Sequence, residues 1–150
     1  MKYPQDLAIK LNNAFPGEDL KAIAGNGCLA FVLMWCLGIE PDDAEAVCMV
    51  QRMRKAQALK SDCTVMWYKA VPYLTGRELL GIDFVKVTSL KGIKERTPVL
   101  MAKPGNPSGV GHWVGVEKGQ IKFNPKQYSE NVEKGRPVEM RVLKIQGIKK

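Results

Sequence analysis

The chain has 150 residues, of which 45% are hydrophobic and 25% charged, and its formal net charge is +8. We expect one domain over 1–150, long enough to bury a core without disulfides, because the composition is that of an ordinary globular protein. The longest apolar run, 28–37, is too short to cross a bilayer and no export signal is visible, so we expect a cytoplasmic protein with no membrane partner. The basic residues are scattered, so a nucleic acid is a possible partner but not the favoured one.

Helical signals fill the first half of the chain. Apolar residues recur at helical spacing over 5–15, where a Pro-Gly pair ends the pattern. A fully apolar run predicts a second helix over 28–38, and Pro41 is expected at the first position of a third. A short helix is predicted over 61–71, broken before Pro72.

The second half changes to short, β-branched, partly alternating runs that Gly, Pro and Asn turns separate. This change of period predicts an α+β fold, with a helical part over about 1–80 and an antiparallel sheet over about 81–150. The expected strands are 82–87, 97–102, 111–116, 120–123 and 138–145.

The stretch GNGCLAFVLMWCLG places a cysteine, Cys28, at the first position of the second predicted helix. A helix that is apolar on every side is buried, yet its first N–H groups still need partners. The positive end of the helix dipole is expected to lower the pKa of this thiol and to favour the thiolate. On this segment alone, a small buried hydrophobic residue is the favoured alternative. Without a C-x-x-C pair, we interpret Cys36, Cys48 and Cys63 as ordinary reduced thiols.

The chain has one histidine, so any Cys–His chemistry has one candidate base, His112. It lies in two strand-like runs joined by 117–119, which predicts a hairpin with a three-residue loop that ends in glycine. That register pairs Val114 with Lys122. It also sets His112 opposite Asn124, within reach of an amide–imidazole hydrogen bond that would fix the histidine tautomer. The alternative is an ordinary histidine and a turn asparagine before a proline.

The same register predicts how the hairpin divides its side chains between the two faces of the sheet. His112 and Asn124 share one face, because side chains alternate along a strand. The opposite face is apolar, so its two large aromatic side chains are expected to be packed on the side away from the histidine. That face carries Trp113, Gly115, Ile121 and Phe123.

Other chemistries have less support in the sequence. The glycine-rich segment 104–111 lacks the Gly-Lys-Ser/Thr ending of a phosphate-binding loop, and no serine lies in a G-x-S-x-G elbow. A single histidine without a close pair of cysteines argues against a catalytic zinc site. We therefore expect neither a metal nor another cofactor.

A cysteine that opens a buried helix, further helices, and a sheet that carries GHWVGV and GQIKFNP together resemble the papain-like cysteine peptidase fold. The order is most similar to the compact bacterial branch that includes the peptidases removing double-glycine leaders from bacteriocins. The resemblance covers about 26–125 as an ordered pattern. It implies Cys28 as nucleophile, His112 as base and Asn124 as the orienting group, with Pro125 matching the proline that often follows.

The sequence also departs from the family pattern. The family places an oxyanion-hole glutamine several residues before the cysteine, but position 22 is Ala22 and no glutamine lies between Gln5 and Cys28. Asn26 is the substitute we assign, together with the Cys28 backbone N–H. The papain-type C-G-S-C-W signature is also absent.

The resemblance implies a cysteine peptidase or amidase that cleaves a peptide, isopeptide or cell-wall amide bond, with a peptide or peptide-like molecule as its partner. Two other classes of function stay open. One is a catalytically inactive papain-like binding module, such as a phage or mobile-element protein. The other is a basic nucleic-acid-binding protein, which salt-dependent retention on DNA or RNA would indicate.

Overall fold

The computed structural model describes residues 1–107 and 110–147. Within them the chain forms a mixed α+β fold, in which the helical part comes first and an antiparallel sheet follows. Ser108 and Gly109 of the glycine-rich segment, and the last residues, 148–150, lie outside the described residues. The elements are α1 (Pro4–Ala14), α2 (Glu18–Asn26), α3 (Cys28–Cys36), α4 (Asp43–Lys55), α5 (Trp67–Thr75), β1 (Leu79–Lys86), β2 (Thr97–Ala102), β3 (His112–Glu117), β4 (Gln120–Phe123), α6 (Glu130–Glu133) and β5 (Arg136–Ile145).

The segment before the cysteine forms a helix, α2, for which the sequence analysis gave no prediction. α2 packs on α1 and buries Ile23. Gly25 lies inside α2, and Gly27 follows it with φ −79° and ψ −3°, which is still helical backbone. The chain therefore makes no loop before Cys28, but a bend of 67° between two consecutive helices.

The first two predicted helices are present as α1 and α3, whereas the predicted start of the third is wrong. Pro41 lies outside α4, because Asp42 is the N-cap residue and its Oδ1 accepts the Glu45 N–H at 2.8 Å. The first N–H groups of a helix have no partner within the helix. An aspartate side chain at the N-cap accepts a hydrogen bond from one of them, which a proline side chain cannot do.

The predicted break before Pro72 is also wrong. α5 begins at Trp67 and continues through Pro72, whereas 61–66 forms turns instead of a helical start. A proline inside a helix removes one backbone hydrogen bond. Ala70 and Val71 are fully buried on this helix, so its packing on the core outweighs that loss.

The five predicted strands form one antiparallel sheet in the order β1-β5-β2-β3-β4. α3 lies on one face, where the main hydrophobic cluster joins its side chains to Phe123 and Ile145. The two layers are in close contact at Gly115, where a Cβ would collide with the Trp35 ring. A second cluster, which includes Val114, covers the other face. The start of β3 is therefore fixed against α3 by packing.

The loop of the β3–β4 hairpin differs from the predicted one. Glu117 pairs with Gln120, so the loop is the two-residue segment 118–119 instead of three residues. Both loop residues have positive φ, 53° and 75°. This is the conformation of a tight turn whose twist matches that of the strands, and it shortens the loop by one residue.

A β-bulge then changes the register along the same hairpin. Val116 pairs with Ile121, but Gly115 pairs with Phe123, so Lys122 is an extra residue in β4. The sequence analysis places Ile121 and Phe123 on the same face of the sheet. Because of the bulge, Ile121 packs in the second cluster instead, whereas Phe123 belongs to the main cluster.

The prediction that Trp113 and Phe123 pack on the sheet face opposite His112 is confirmed. Trp113 and Phe123 both belong to the main cluster, on the α3 face of the sheet. His112 pairs with Met101, a member of the second cluster. The histidine therefore lies on the opposite face of β3, at the end of the strand.

α3 is the most apolar segment of the chain, and its residues from Ala30 to Trp35 are buried. Among the described residues no single helix has the length and hydrophobicity to span a membrane. α2 and α3 satisfy both criteria only as a pair, which the 67° bend interrupts.

Candidate active site

Cys28 is the first residue of α3, and the bend before it depends on close backbone packing. A Cβ on Gly27 would lie 2.5 Å from the Ile23 carbonyl oxygen, so only glycine fits there. The Ala24 carbonyl, which would accept the Cys28 N–H if α2 continued, accepts the Gln5 side-chain amide at 3.0 Å. The Cys28 N–H lies beside its own thiol. The bend thus turns the first amides of α3 towards the sulfur.

The Cys28 thiol is protonated at neutral pH, which corrects the predicted thiolate. The residue is 9% exposed. Burial raises its pKa, and the backbone N–H groups of Trp113, Leu29 and Cys28 itself oppose this effect without reversing it. Desolvation of the thiolate therefore outweighs the helix N-terminus.

His112 and Asn124 form the predicted hydrogen bond, at 2.7 Å between Nε2 and Oδ1. Because of the bulge, however, the two residues are not directly opposed. The observed register, continued by one pair, sets Asn124 opposite Val114, which lies two residues from His112 on the same face. Such diagonal neighbours are within reach of long side chains.

The hydrogen bonds of Asn124 determine which histidine nitrogen carries the proton. The Lys126 N–H also donates to Asn124 Oδ1, at 3.1 Å. An amide oxygen only accepts, so His112 Nε2 is the donor in its own bond to that oxygen. Nδ1 is then the unprotonated acceptor of the neutral ring.

The electrostatic surroundings also keep the histidine neutral. Burial lowers the pKa of His112, the bond to Asn124 raises it, Lys126 lowers it and Asp6 raises it, in decreasing order of effect. The Lys126 ammonium also lowers the pKa of Cys28. Cys28 and His112 thus share Lys126 as a charged neighbour. The Cys28 thiol lies beside the backbone N–H of Trp113, the residue that follows His112.

The arrangement combines a buried neutral thiol with a neutral imidazole of defined tautomer. A thiol attacks a carbonyl only after it loses its proton, and an imidazole with a free ring nitrogen is the usual acceptor. The first amides of α3 are donors for negative charge that develops on an attacked carbonyl oxygen. The chemistry that this set of groups supports is acyl transfer.

The remaining predicted residues are Asn26 and the other three thiols. Asn26 is the last residue of α2 and is exposed. The other thiols are free: burial raises the pKa of half-buried Cys36 and raises that of Cys63 to about 11, whereas Cys48 is exposed.

Two residues of α1 contact the site without any signal in the sequence. The Gln5 N–H donates to the Pro125 carbonyl at 3.0 Å, and Asp6 Oδ2 accepts the Gln127 N–H at 2.8 Å. Gln5 is 2% exposed, and its Oε1 has no partner among the described residues. Only the fold joins the first helix to the segment after Asn124, because the two are separated by most of the chain.

Comparison of the chain with protein-family models, curated proteins and solved structures gives no significant match. Within 1–107 and 110–147, no group of three His, Cys, Asp or Glu side chains is arranged to hold a metal ion. The functional conclusion therefore depends on the geometry of the site alone.

Proposed function

We propose that this protein is a papain-like cysteine hydrolase that cleaves a peptide, isopeptide or cell-wall amide bond. Cys28 is the nucleophile, His112 the base and Asn124 the group that orients the imidazole. The observation that carries the proposal is the 2.7 Å bond between His112 and Asn124. The Cys28 thiol at the start of α3 lies beside the backbone N–H of Trp113, the residue that follows the histidine. A core histidine and a turn asparagine would not require this pairing.

The reaction begins from the neutral pair. As Cys28 Sγ attacks the carbonyl carbon, His112 Nδ1 accepts the thiol proton, and the charge passes to the carbonyl oxygen. The imidazolium then gives this proton to the leaving nitrogen as the C–N bond breaks. Water hydrolyses the resulting thioester, with the same imidazole as base, and restores the thiol.

The negative oxygen of the tetrahedral intermediate needs hydrogen-bond donors. The backbone N–H of Cys28 at the start of α3 supplies the first, and its position beside the sulfur supports this role. Asn26 is the second donor that we assign, since it lies two residues before the nucleophile. Its exposure agrees with a group that meets the substrate instead of the protein core.

The proposal is tested by the rate at which a peptidyl epoxide alkylates the thiols, followed by mass spectrometry of the intact and digested protein. Label is expected on Cys28, it is lost in Cys28→Ala, and His112→Ala slows it by about a hundredfold or more. Cys36→Ala is the matched control and should label as wild type. Equal labelling in wild type and His112→Ala would exclude the Cys–His mechanism.

A non-catalytic binding module is the second candidate, and the burial of both groups is the observation that favours it. His112 is 6% exposed and Cys28 9%, so a substrate carbonyl needs local opening to reach the sulfur. The same labelling experiment separates the two functions. A hydrolase labels at Cys28 and turns over a matching amide, whereas a binding module leaves Cys28 unlabelled although the fold is intact.

A further inference from the structure

One large concave surface of the described residues contains none of the candidate active-site residues. It is an open groove of about 1040 Å³ between α4, the 56–66 connection and the first turn of α5, with an apolar floor at Leu59 and Met66. No strand of the sheet contributes to it. Its walls carry five cationic side chains, Arg52, Arg54, Lys55, Lys60 and Lys69.

The positive charge of this groove is only partly neutralised. Asp19, its one carboxylate among the described lining residues, pairs with Arg54, and Glu45 pairs with Arg52 at 2.6 Å. The lysines are different: none of the salt bridges formed within 1–107 and 110–147 includes Lys55, Lys60 or Lys69. A concave surface with unpaired charge of one sign attracts ligands of the opposite sign.

The wall of the groove is held in place by hydrogen bonds. Arg54 donates to the Ser61 carbonyl through Nε at 3.1 Å and through NH2 at 2.6 Å, and it also binds Asp19. These contacts connect α4 to the 56–66 connection and to α2. The shape of the groove therefore exists before a ligand binds, which reduces the entropy lost on binding.

An exposed aromatic ring lies near the cationic walls, although it is not among the residues that line the groove. Tyr73 lies one helical turn after Lys69 on α5 and is 47% exposed. The pKa of Arg52 is raised chiefly by Glu45 and also by Tyr73, so the tyrosine lies near that guanidinium. Cations along a groove with an aromatic ring beside them are the combination that binds single-stranded nucleic acids, whose phosphates and bases alternate.

We propose that this groove binds a single-stranded nucleic acid, with the lysines on the phosphates and Tyr73 stacked on a base. An acidic peptide would satisfy the charges but has no flat base to stack on the exposed ring. Cys28 and His112 do not line this groove, so the binding proposal does not depend on the proposed hydrolase activity.

Fluorescence anisotropy of a labelled oligothymidylate, measured over a range of salt concentrations, tests this proposal. The combined variant Lys55→Gln, Lys60→Gln and Lys69→Gln is expected to reduce the slope of log affinity against log salt by about 2. The matched control removes three exposed lysines on the sheet side, Lys91→Gln, Lys94→Gln and Lys122→Gln, and should keep the wild-type slope. An equal loss in both variants, or no binding by wild type at low salt, would refute a localised site.

The ring is tested in the same assay. Tyr73→Ala should weaken binding about tenfold, and Tyr73→Phe, which keeps the stacking plane, should restore it. If Tyr73→Ala binds as wild type and polyglutamate displaces the oligonucleotide at equal charge, the groove recognises charge alone and the nucleic-acid assignment is wrong. Cys28→Ala should bind the oligonucleotide as wild type.

Discussion

The two candidate sites of this protein are opposite in their electrostatics. Cys28 and His112 are buried at the start of α3 and β3, and burial shifts both pKa values towards the neutral forms. The groove between α4 and α5 is open, and its lysines are exposed. Only the first depends on the packing of a helix against the sheet.

This difference shows how burial divides the functions that a small domain can carry. A covalent step is favoured when both reacting groups are neutral and shielded from water. Water then does not compete for the proton, and no separated charges have to be buried in the resting state. Reversible binding of a nucleic acid is favoured by solvated cationic side chains. These side chains neutralise phosphates, and the release of the counterions that had surrounded the phosphates drives binding. A change in one region should therefore leave the other intact, which makes their separation testable.

The largest effect is expected from a change in the packing between α3 and the sheet. Gly115→Ala places a Cβ into the Trp35 ring and should destabilise the fold by about 2 to 3 kcal/mol through overpacking. It should also slow labelling of Cys28, whereas binding to the α4–α5 groove persists. Gly92→Ala is the control, since nothing lies within 4 Å of its added Cβ. Thermal melts with labelling rates measure both effects, and equal stability of the two variants would contradict the packing argument.

The next effect concerns the reactivity of the thiols towards iodoacetamide at neutral pH. Cys48 is exposed, whereas burial raises the pKa of Cys28, so Cys48 should react about tenfold faster or more. Peptide mapping after timed quenching gives both rates. A faster Cys28 would mean that the resting thiol is ionised, and the neutral-pair mechanism would have to be abandoned.

Removal of the orienting amide should have a smaller effect. Asn124→Ala loses the bonds to His112 and to the Lys126 N–H, which should cost about 1 kcal/mol of stability. It should also slow peptidyl-epoxide labelling of Cys28 clearly but incompletely, because the base remains.

Asn131→Ala is the matched control for that variant. Asn131 Oδ1 likewise accepts two bonds, from the Lys103 N–H at 3.1 Å and the Asn106 amide at 2.9 Å. Its loss should lower the melting temperature to a similar extent and leave the labelling rate unchanged. If both variants label as wild type, Asn124 has a structural role only.

The smallest effect is the pH dependence of stability due to the single histidine. The pKa of His112 is lower in the folded state than the unfolded value of about 6.5, so the unfolded chain binds more protons in that window. The contribution is fully present above about pH 6.5 and is lost as the pH falls through the folded pKa. Urea melts between mildly acidic and neutral pH measure this slope, which His112→Gln should remove. An unchanged slope in the variant would show that other groups titrate there.

Much of the fold follows from local patterns in the sequence. The apolar run after Cys28 predicts a buried helix, and the alternation around Trp113 and Phe123 predicts the strands, because periodicity reports directly which faces are covered. Proline and glycine were less informative. Pro72 lies inside a helix and Gly25 inside another, because burial of neighbouring residues outweighs the local preference.

The sequence by itself determined the candidate pair of His112 and Asn124, since the two belong to one hairpin and lie close in any compact register. The two side chains form their hydrogen bond although the loop has two residues instead of three and a bulge shifts the register. Side chains that are diagonal neighbours across a hairpin are still within hydrogen-bond reach. The position of Cys28 at a helix start is likewise local. Residue types and short-range geometry suffice for these conclusions.

Only the tertiary structure decided the charge states and the long-range contacts. It buries the thiol, so that desolvation overrides the helix dipole, and it brings Gln5 to Ala24 and Asp6 to the segment after Asn124. It also gathers lysines that are scattered in the sequence into one groove. Desolvation and through-space charge depend on which distant segments pack together, and no short stretch of sequence contains that information.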